Sequence, residues 1–261
     1  MDLEEIENLP EGAITWKAKS RWVVQGYTDP DADGMQSSSP VSATRSLYLA
    51  LQKAANNGWK SVFADIKTAC LNQPTRITEQ GPVYVKFPRD HPELPGRNCE
   101  LQKDSYGVIC GALRWYQTFR NFLLDDLHLT ASKTDESMYL LKRNDKVHGV
   151  ICVVVDDLCM VGDQTAMREV QKLKKRFSFG KRSYDTGTVC GRDIIRTEGG
   201  GFRINQQKKV SALEEIDLDK GLLDAGPADE KLIKELRSRV GQALYILRGK
   251  LRQIWPVLCQ C

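Results

Sequence analysis

"VICVVVDDLCMVGD", residues 150–163, sets two adjacent aspartates, Asp156 and Asp157, inside an otherwise apolar run. A buried carboxylate is costly unless it is paired, hydrogen-bonded or bound to a metal. The flanks read as two strands meeting at a hairpin that turns at Asp156-Asp157. A third acid is at hand in "VFADIKTAC". There Asp65 shares strand parity with Phe63 in an apolar stretch. If the two segments are neighbours in one sheet, three carboxylates converge. Such a cluster repels itself unless cations neutralise it. Magnesium prefers a few carboxylates plus substrate phosphates, and two ions can clamp both oxygens of a phosphoryl transfer. An Asp pair at a hairpin is also an ordinary turn, and spacing alone favours that reading. The bare triad would also allow a weaker reading, a metal-dependent phosphotransferase or nuclease on an unrelated α+β fold.

Working outward, "SRWVVQGYT" (20–28) and "WKSVFADI" (59–66) read as strands, separated by a polar loop over 29–40. A helix is expected after that loop. Leu47, Leu51 and Ala54 form its stripe, Thr44 or Ser46 its cap, and Asn57-Gly58 its end. "VYVKFP" (83–88), "SMYLLKR" (137–143) and "GVICVVV" (149–155) are further strands. A second helix carries Trp115, Phe119, Phe122 and Leu123. Asp163 can cap a third, whose stripe is Met167, Val170, Leu173 and Phe177. "TVCGRDIIRT" and "GFRINQ" flank a glycine hairpin signal at Gly199-Gly200-Gly201. Residues 229–248 are expected to be helical, with Leu232, Leu236, Val240 and Leu244 in phase. Strands and helices mix without regular βαβ alternation, so the fold class is α+β with an antiparallel sheet.

The 261 residues are 41% hydrophobic and 28% charged, which points to a folded chain. The net charge of +4 permits a nucleic-acid partner without requiring one. Basic residues cluster in "KLKKRFSFGKR" (172–182) and "RGKLR" (248–252). Of eight cysteines none forms a CxxC pair, and the three histidines lack zinc-ligand spacing. With no signal peptide and no membrane-length apolar run, the expectation is a soluble, intracellular protein, with no membrane partner and mostly buried free thiols.

The residues also resemble a family. "VICVVVDDLCMVGD" resembles the paired-aspartate segment of copia-type LTR-retrotransposon reverse transcriptases, where the usual form is an aromatic, any residue, then Asp-Asp. "KSRWVVQG" (19–26) resembles the family's Lys-Ala-Arg-Leu-Val-Ala-Arg-Gly finger strand. "SSPVSATRSLYLAL" (38–51) is similar to its Ser-Pro-Val segment, and "GWKSVFADIKTACLN" (58–72) to the strand of the first catalytic aspartate. "SYGVICGALRWYQ" (105–117) looks like the Leu-Tyr-Gly-Leu-Lys-Gln-Ala-Pro-Arg-Ala-Trp-Tyr motif. "CGRDIIR" (190–196) resembles the primer-grip segment, and "LRSRVGQALYIL" (236–247) the segment beyond it. Seven motifs in one order, over about residues 16–255, outweigh the plain-turn reading.

The resemblance implies a right-hand polymerase: a loose lead-in over 1–15, fingers and palm over 16–195, and palm end with partial thumb or connection over 196–261. It implies RNA-directed DNA polymerisation from a primer on an RNA or DNA template, with deoxynucleoside triphosphates as substrates. Asp65, Asp156 and Asp157 would be catalytic and would ligate two Mg2+ ions, with Mn2+ as a substitute. One ion would activate the primer 3′ hydroxyl and the other hold the triphosphate. Arg21, Cys70, Tyr106 and Gly107 would form the nucleotide site, and Val154, Val155, Cys190 and Gly191 would position the primer. Apart from the resemblance, Arg21 could be a surface strand residue, Tyr106 a half-buried aromatic and Cys190 a small buried group. The implied location is a cytoplasmic virus-like particle or the nucleus.

Departures from the pattern are specific. Val154 stands at the usual aromatic position before the paired aspartates. Cys70 stands at the aromatic position that excludes ribonucleotides. Cys110 and Ala112 replace Gln and Pro, and Gln25 replaces Arg. An RNase H region, which follows in the family, is expected to be absent. The expectation is a truncated, diverged Pol polyprotein fragment, or alternatively an inactive relic that keeps the palm fold and binds nucleic acid.

Overall fold

Strands buried on both faces lose the apolar–polar alternation of a half-solvated strand. That is the character of residues 150–153, and the computed structural model shows why. It describes residues 22–29, 32–73, 82–213 and 230–247. Among these, a six-stranded antiparallel sheet runs in the order β4 (Thr130–Ala131), β5 (Met138–Arg143), β6 (Lys146–Val154), β7 (Asp157–Gly162), β1 (Lys60–Ile66), β8 (Phe179–Tyr184). Helix α1 (Thr44–Asn56) lies on one face. Its Leu47, Leu51 and Ala54 join Phe63, Val150, Cys152, Cys159 and Val161 in one buried cluster. Ile151 and Met160, of opposite parity, face Ala166 and Val170 of helix α3 (Gln164–Arg176), which follows α2 (Gly111–Asn121) in the chain. Each fully buried side chain of this size contributes about 1.5–3 kcal/mol.

The chain divides into two units. The smaller comprises residues 1–39 and 68–118, the larger 40–67 and 119–261, and the boundary falls inside α2. The six-stranded sheet belongs to the larger unit. So does a three-stranded sheet of β9 (Thr186–Val189), β10 (Arg192–Arg196) and β11 (Phe202–Asn205). Asp185 fastens the two sheets. Its carboxylate accepts from the Ser61 hydroxyl at 2.9 Å and from Arg196 Nε at 2.7 Å. Burial pushes the Asp185 carboxyl up, but these donors outweigh it and hold it below the ordinary range. After β11 come a short α4 (Gln207–Ser211) and α5 (Glu230–Leu247).

In the smaller unit, β2 (Tyr84–Lys86) pairs with β3 (Asn98–Glu100). Trp22 stacks on Phe87 with centroids 4.8 Å apart and planes at 4°. Asp104 is buried against Arg114 at 2.8 Å.

Several expectations need correction. Of 20–28, the residues from Trp22 onward form no strand: Gly26–Thr28 is a 3-10 turn, and the Val24 amide donates to the Tyr106 carbonyl instead of to a ladder. Helix α1 is capped by neither Thr44 nor Ser46. Ala43 holds the N-cap position, and its amide donates to Asp135, 92 residues away, at 2.9 Å. The hairpin of the paired aspartates turns on Val155-Asp156, because Val154 already pairs with Asp157. The expected stripe of α5 is not core: Leu236, Val240 and Leu244 are exposed, while Ile246 is buried. Of the thiols described, Cys152 and Cys159 are buried and Cys99, Cys110 and Cys190 are half-buried, all free. The lead-in 1–15 and the basic run 248–252 lie outside the described residues. No helix among the described residues is long and apolar enough to cross a membrane.

Candidate metal centre

Pairing β1 with β7 places Asp65 opposite Asp157, as the last pair of a ladder that begins at Lys60 and Gly162. Both aspartates continue the face that carries Phe63, Cys159 and Val161, so they stand where the core cluster opens. Asp156 occupies the adjoining turn, and its carbonyl accepts from the Ile66 amide at 2.9 Å. One carboxylate oxygen from each of Asp65, Asp156 and Asp157 lies within 4.8 Å of the others. Asp65 and Asp157 are half-buried and Asp156 is exposed.

The turn is strained. Val155 has φ of 58° and is 43% exposed. A left-handed conformation costs an L-residue roughly 1–2 kcal/mol, and a β-branched side chain suits it poorly. Strain of this kind persists where the surroundings over-determine it. Here the β6–β7 ladder on one side and the Asp156 carbonyl bond on the other fix the corner.

Burial pushes the Asp157 carboxyl above the ordinary value. The Cys190 amide, donating to Asp157 Oδ2 at 3.2 Å, works downward, and the charges of Asp156 and Asp65 add to the upward push. Three converging carboxylates form an all-oxygen donor set that suits a hard cation such as Mg2+ or Mn2+. Their mutual repulsion is what a cation would relieve. The residues therefore fit a divalent metal.

A cavity of about 670 Å³ adjoins the cluster, lined by Asp65 and Asp157 and by Lys181 and Arg182 of β8. Strand β8 pairs with β1, with an irregularity between Ala64 and Ile66. Gly180 lies beside this break, where a Cβ would fall 2.5 Å from Asp65 Oδ2. A side chain there would displace the carboxylate. Sequence reasoning missed Gly180, Lys181 and Arg182 as site residues. "FGKRSY" has no apolar period, and the basic cluster around it reads equally well as a solvated helix face.

The other expected residues fall as follows. Val154 ends β6 and packs partly buried against the core cluster. Cys190 and Gly191 form the two-residue turn between β9 and β10, with φ of 49° and 65°. The structure thus brings Val154, Val155, Cys190 and Gly191 into the larger unit with the triad. Tyr106, Gly107 and Cys70 belong to the smaller unit. Tyr106 is 36% exposed, its carbonyl bound to Val24, and Gly107 has φ of 89°. Cys70 lies in the 3-10 turn Ala69–Asn72. Arg21 lies outside the described residues.

Two solved structures that match part of this chain are telomerases. One is the apo telomerase of Candida tropicalis truncated from its C-terminal domain, at 11% identity and a TM-score of 0.33, over 59% of this chain and 39% of that one. The other is the telomerase of Candida albicans in complex with the TWJ fragment of telomeric RNA, at 9% identity and a TM-score of 0.34, over 74% and 37%. The chain spans less than two fifths of either. No curated protein sequence matches it. A family model described as reverse transcriptase (RNA-dependent DNA polymerase) matches residues 10–225, a span that holds the three aspartates and both sheets of the larger unit. The chain belongs to the reverse transcriptase (RNA-dependent DNA polymerase) family.

Proposed function

We propose that this chain is the RNA-directed DNA polymerase domain of a copia-type retrotransposon Pol polyprotein, adding deoxynucleotides to a primer 3′ hydroxyl on an RNA or DNA template. The observation that carries the reading is the meeting of Asp65, Asp156 and Asp157 at the end of the β1–β7 ladder, within the span matched by the family. The larger unit, with its antiparallel sheet, is then the palm.

The three aspartates hold the metal, and Mg2+ when bound supplies Lewis acidity for nucleotidyl transfer, with Mn2+ as a substitute. The remaining work belongs to the chain. Asp156, exposed at the strained turn, presents its carboxylate outward. Asp157, half-buried, is oriented by the Cys190 amide. Lys181 and Arg182 give the cavity wall two cations suited to phosphate oxygens. Val154 and Val155, with Cys190 and Gly191, seat the primer end. Arg21, Cys70, Tyr106 and Gly107 form the nucleotide site, in which Cys70 leaves more room beneath the sugar than an aromatic residue does.

A second reading is favoured by the residues at 70, 110, 112 and 154, where the family's usual side chains are replaced. It is a relic that binds primer–template without extending it. Extension of a labelled DNA primer on an RNA template, with Mg2+ and deoxynucleotides, separates the two. Template-dependent extension that is lost in Asp156→Asn supports the polymerase. Salt-sensitive binding by folded protein without extension supports the relic.

A further inference from the structure

The Cys190-Gly191 turn is held on both sides of Cys190 by side chains from elsewhere in the larger unit. Both residues have positive φ, the geometry of a type I′ hairpin turn, which favours Asn-Gly. Cys190 is poorly suited to it and needs outside support. Two bonds give that support. The Cys190 amide donates to Asp157 Oδ2 at 3.2 Å, the long end of the normal range. The Cys190 carbonyl accepts from the hydroxyl of Tyr245, in α5. The ammonium of Lys209 lies 4.0 Å from the centre of the Tyr245 ring, in the space a Cβ on Gly191 would occupy. Gly191 therefore lets lysine, tyrosine and turn close together.

The two peptide groups of Cys190 face opposite partners. Fixing the carbonyl fixes the plane of the Cys190–Gly191 peptide and, through the φ and ψ of Cys190, restrains the direction of the Cys190 N–H. We propose that Tyr245 is a positioning residue for the metal centre: by holding the Cys190 carbonyl it aims the Cys190 amide at Asp157, and so couples helix α5 to the orientation of that carboxylate. The proposal rests on the reading of Asp65, Asp156 and Asp157 as metal ligands. Nothing in the apolar pattern of α5 marks Tyr245, which is 42% exposed.

The test uses the full chain with Tyr245→Phe, which keeps the ring under Lys209 and removes only the hydroxyl. Two readouts are taken: hydrogen exchange of the Cys190 amide without metal, and Mn2+ affinity from the paramagnetic resonance of free Mn2+. Loss of an outer-shell partner typically costs 10–100-fold in metal affinity. Tyr245 acts one bond further out, so a fall of about three- to tenfold is expected, together with faster exchange at Cys190. Adding Cys190→Asn, which tolerates the left-handed turn unaided, should recover both. A purely structural tyrosine would not be rescued in this way. Unchanged Mn2+ affinity in Tyr245→Phe overturns the inference, as does a Cys190 amide indifferent to the substitution. Wild-type protein that takes up no Mn2+ overturns instead the metal reading beneath it, and the metal-free exchange still shows whether Tyr245 sets the turn.

Discussion

Strand β7 has an aspartate at each end, and the two have opposite surroundings. Asp163, just past its C-terminal end, caps α3. One carboxylate oxygen accepts the amides of Thr165 and Ala166 at 2.8 and 3.2 Å, and the other meets His148 Nδ1 at 2.6 Å. Burial pushes its carboxyl up, but the His148 bond and the two amides outweigh this and hold it below the ordinary value. Asp157, at the N-terminal end, accepts the Cys190 amide and faces two more aspartates, and burial together with those charges raises it. A carboxylate supplied with donors by its own chain holds structure. A carboxylate set among like charges has a repulsion that a cation from outside would relieve.

The largest consequence is a split between activity and stability. Asp157→Asn should lower primer extension by more than about a hundredfold, beyond the usual cost of an outer-shell partner. Its melting temperature should hold or rise, because a like-charge contact is removed. Parallel extension and thermal-melt measurements check this. A large drop in melting temperature would mean that Asp157 holds structure as Asp163 does.

At the other end the split reverses. Asp163→Ala removes a cap and a partner of His148, and should cost about 1–2 kcal/mol in stability by urea unfolding. Extension per folded molecule should stay within about twofold of wild type. A loss of extension beyond that would show that the two ends of β7 are coupled.

Acid should close the two stability differences from opposite sides. A carboxyl held below its ordinary value contributes stability that is present above the unfolded-state value, 3.8, and lost as pH falls through the lower folded value. The advantage of wild type over Asp163→Asn should therefore persist at neutral pH and shrink only below about pH 3.8. For Asp157 the sign is the reverse. Its raised carboxyl costs stability above the raised value, and that cost fades as pH falls toward 3.8. Asp157→Asn should be the more stable protein at neutral pH and lose that advantage first on acidification. Urea unfolding across pH 3–7 measures both.

The same contrast explains what could be read from residues alone. Asp163 was legible as a cap because its signal is local: the acid, then the periodic Met167, Val170, Leu173 and Phe177. The doubly buried strands were legible from their apolar runs, and Asp65 from its parity with Phe63. The sequence places the turn one residue late, because nothing in it announces that Val155 takes a left-handed corner, a conformation that ladder geometry imposes. The start of α1 is not legible because the acceptor of its Ala43 amide is Asp135, distant in sequence. Strand β8 was missed because "FGKRSY" lies at a sheet edge with most of its side chains exposed, so hydrophobicity leaves no trace in it. Without β8, the cations of the cavity wall could not be placed.

The smallest effect is also the most direct test of the contrast. A ligand that binds only the folded state stabilises it by mass action, about 1 kcal/mol at five times its Kd. Mg2+ should give wild type that increment and give Asp157→Asn almost none. Asp163→Ala, although less stable at the outset, should gain the full increment, because its lost carboxylate stands at the end of β7 already supplied with donors. Urea unfolding of the three proteins with and without Mg2+ decides it. Equal increments in wild type and Asp157→Asn would place the cation elsewhere and reduce Asp65, Asp156 and Asp157 to a turn that tolerates its own repulsion.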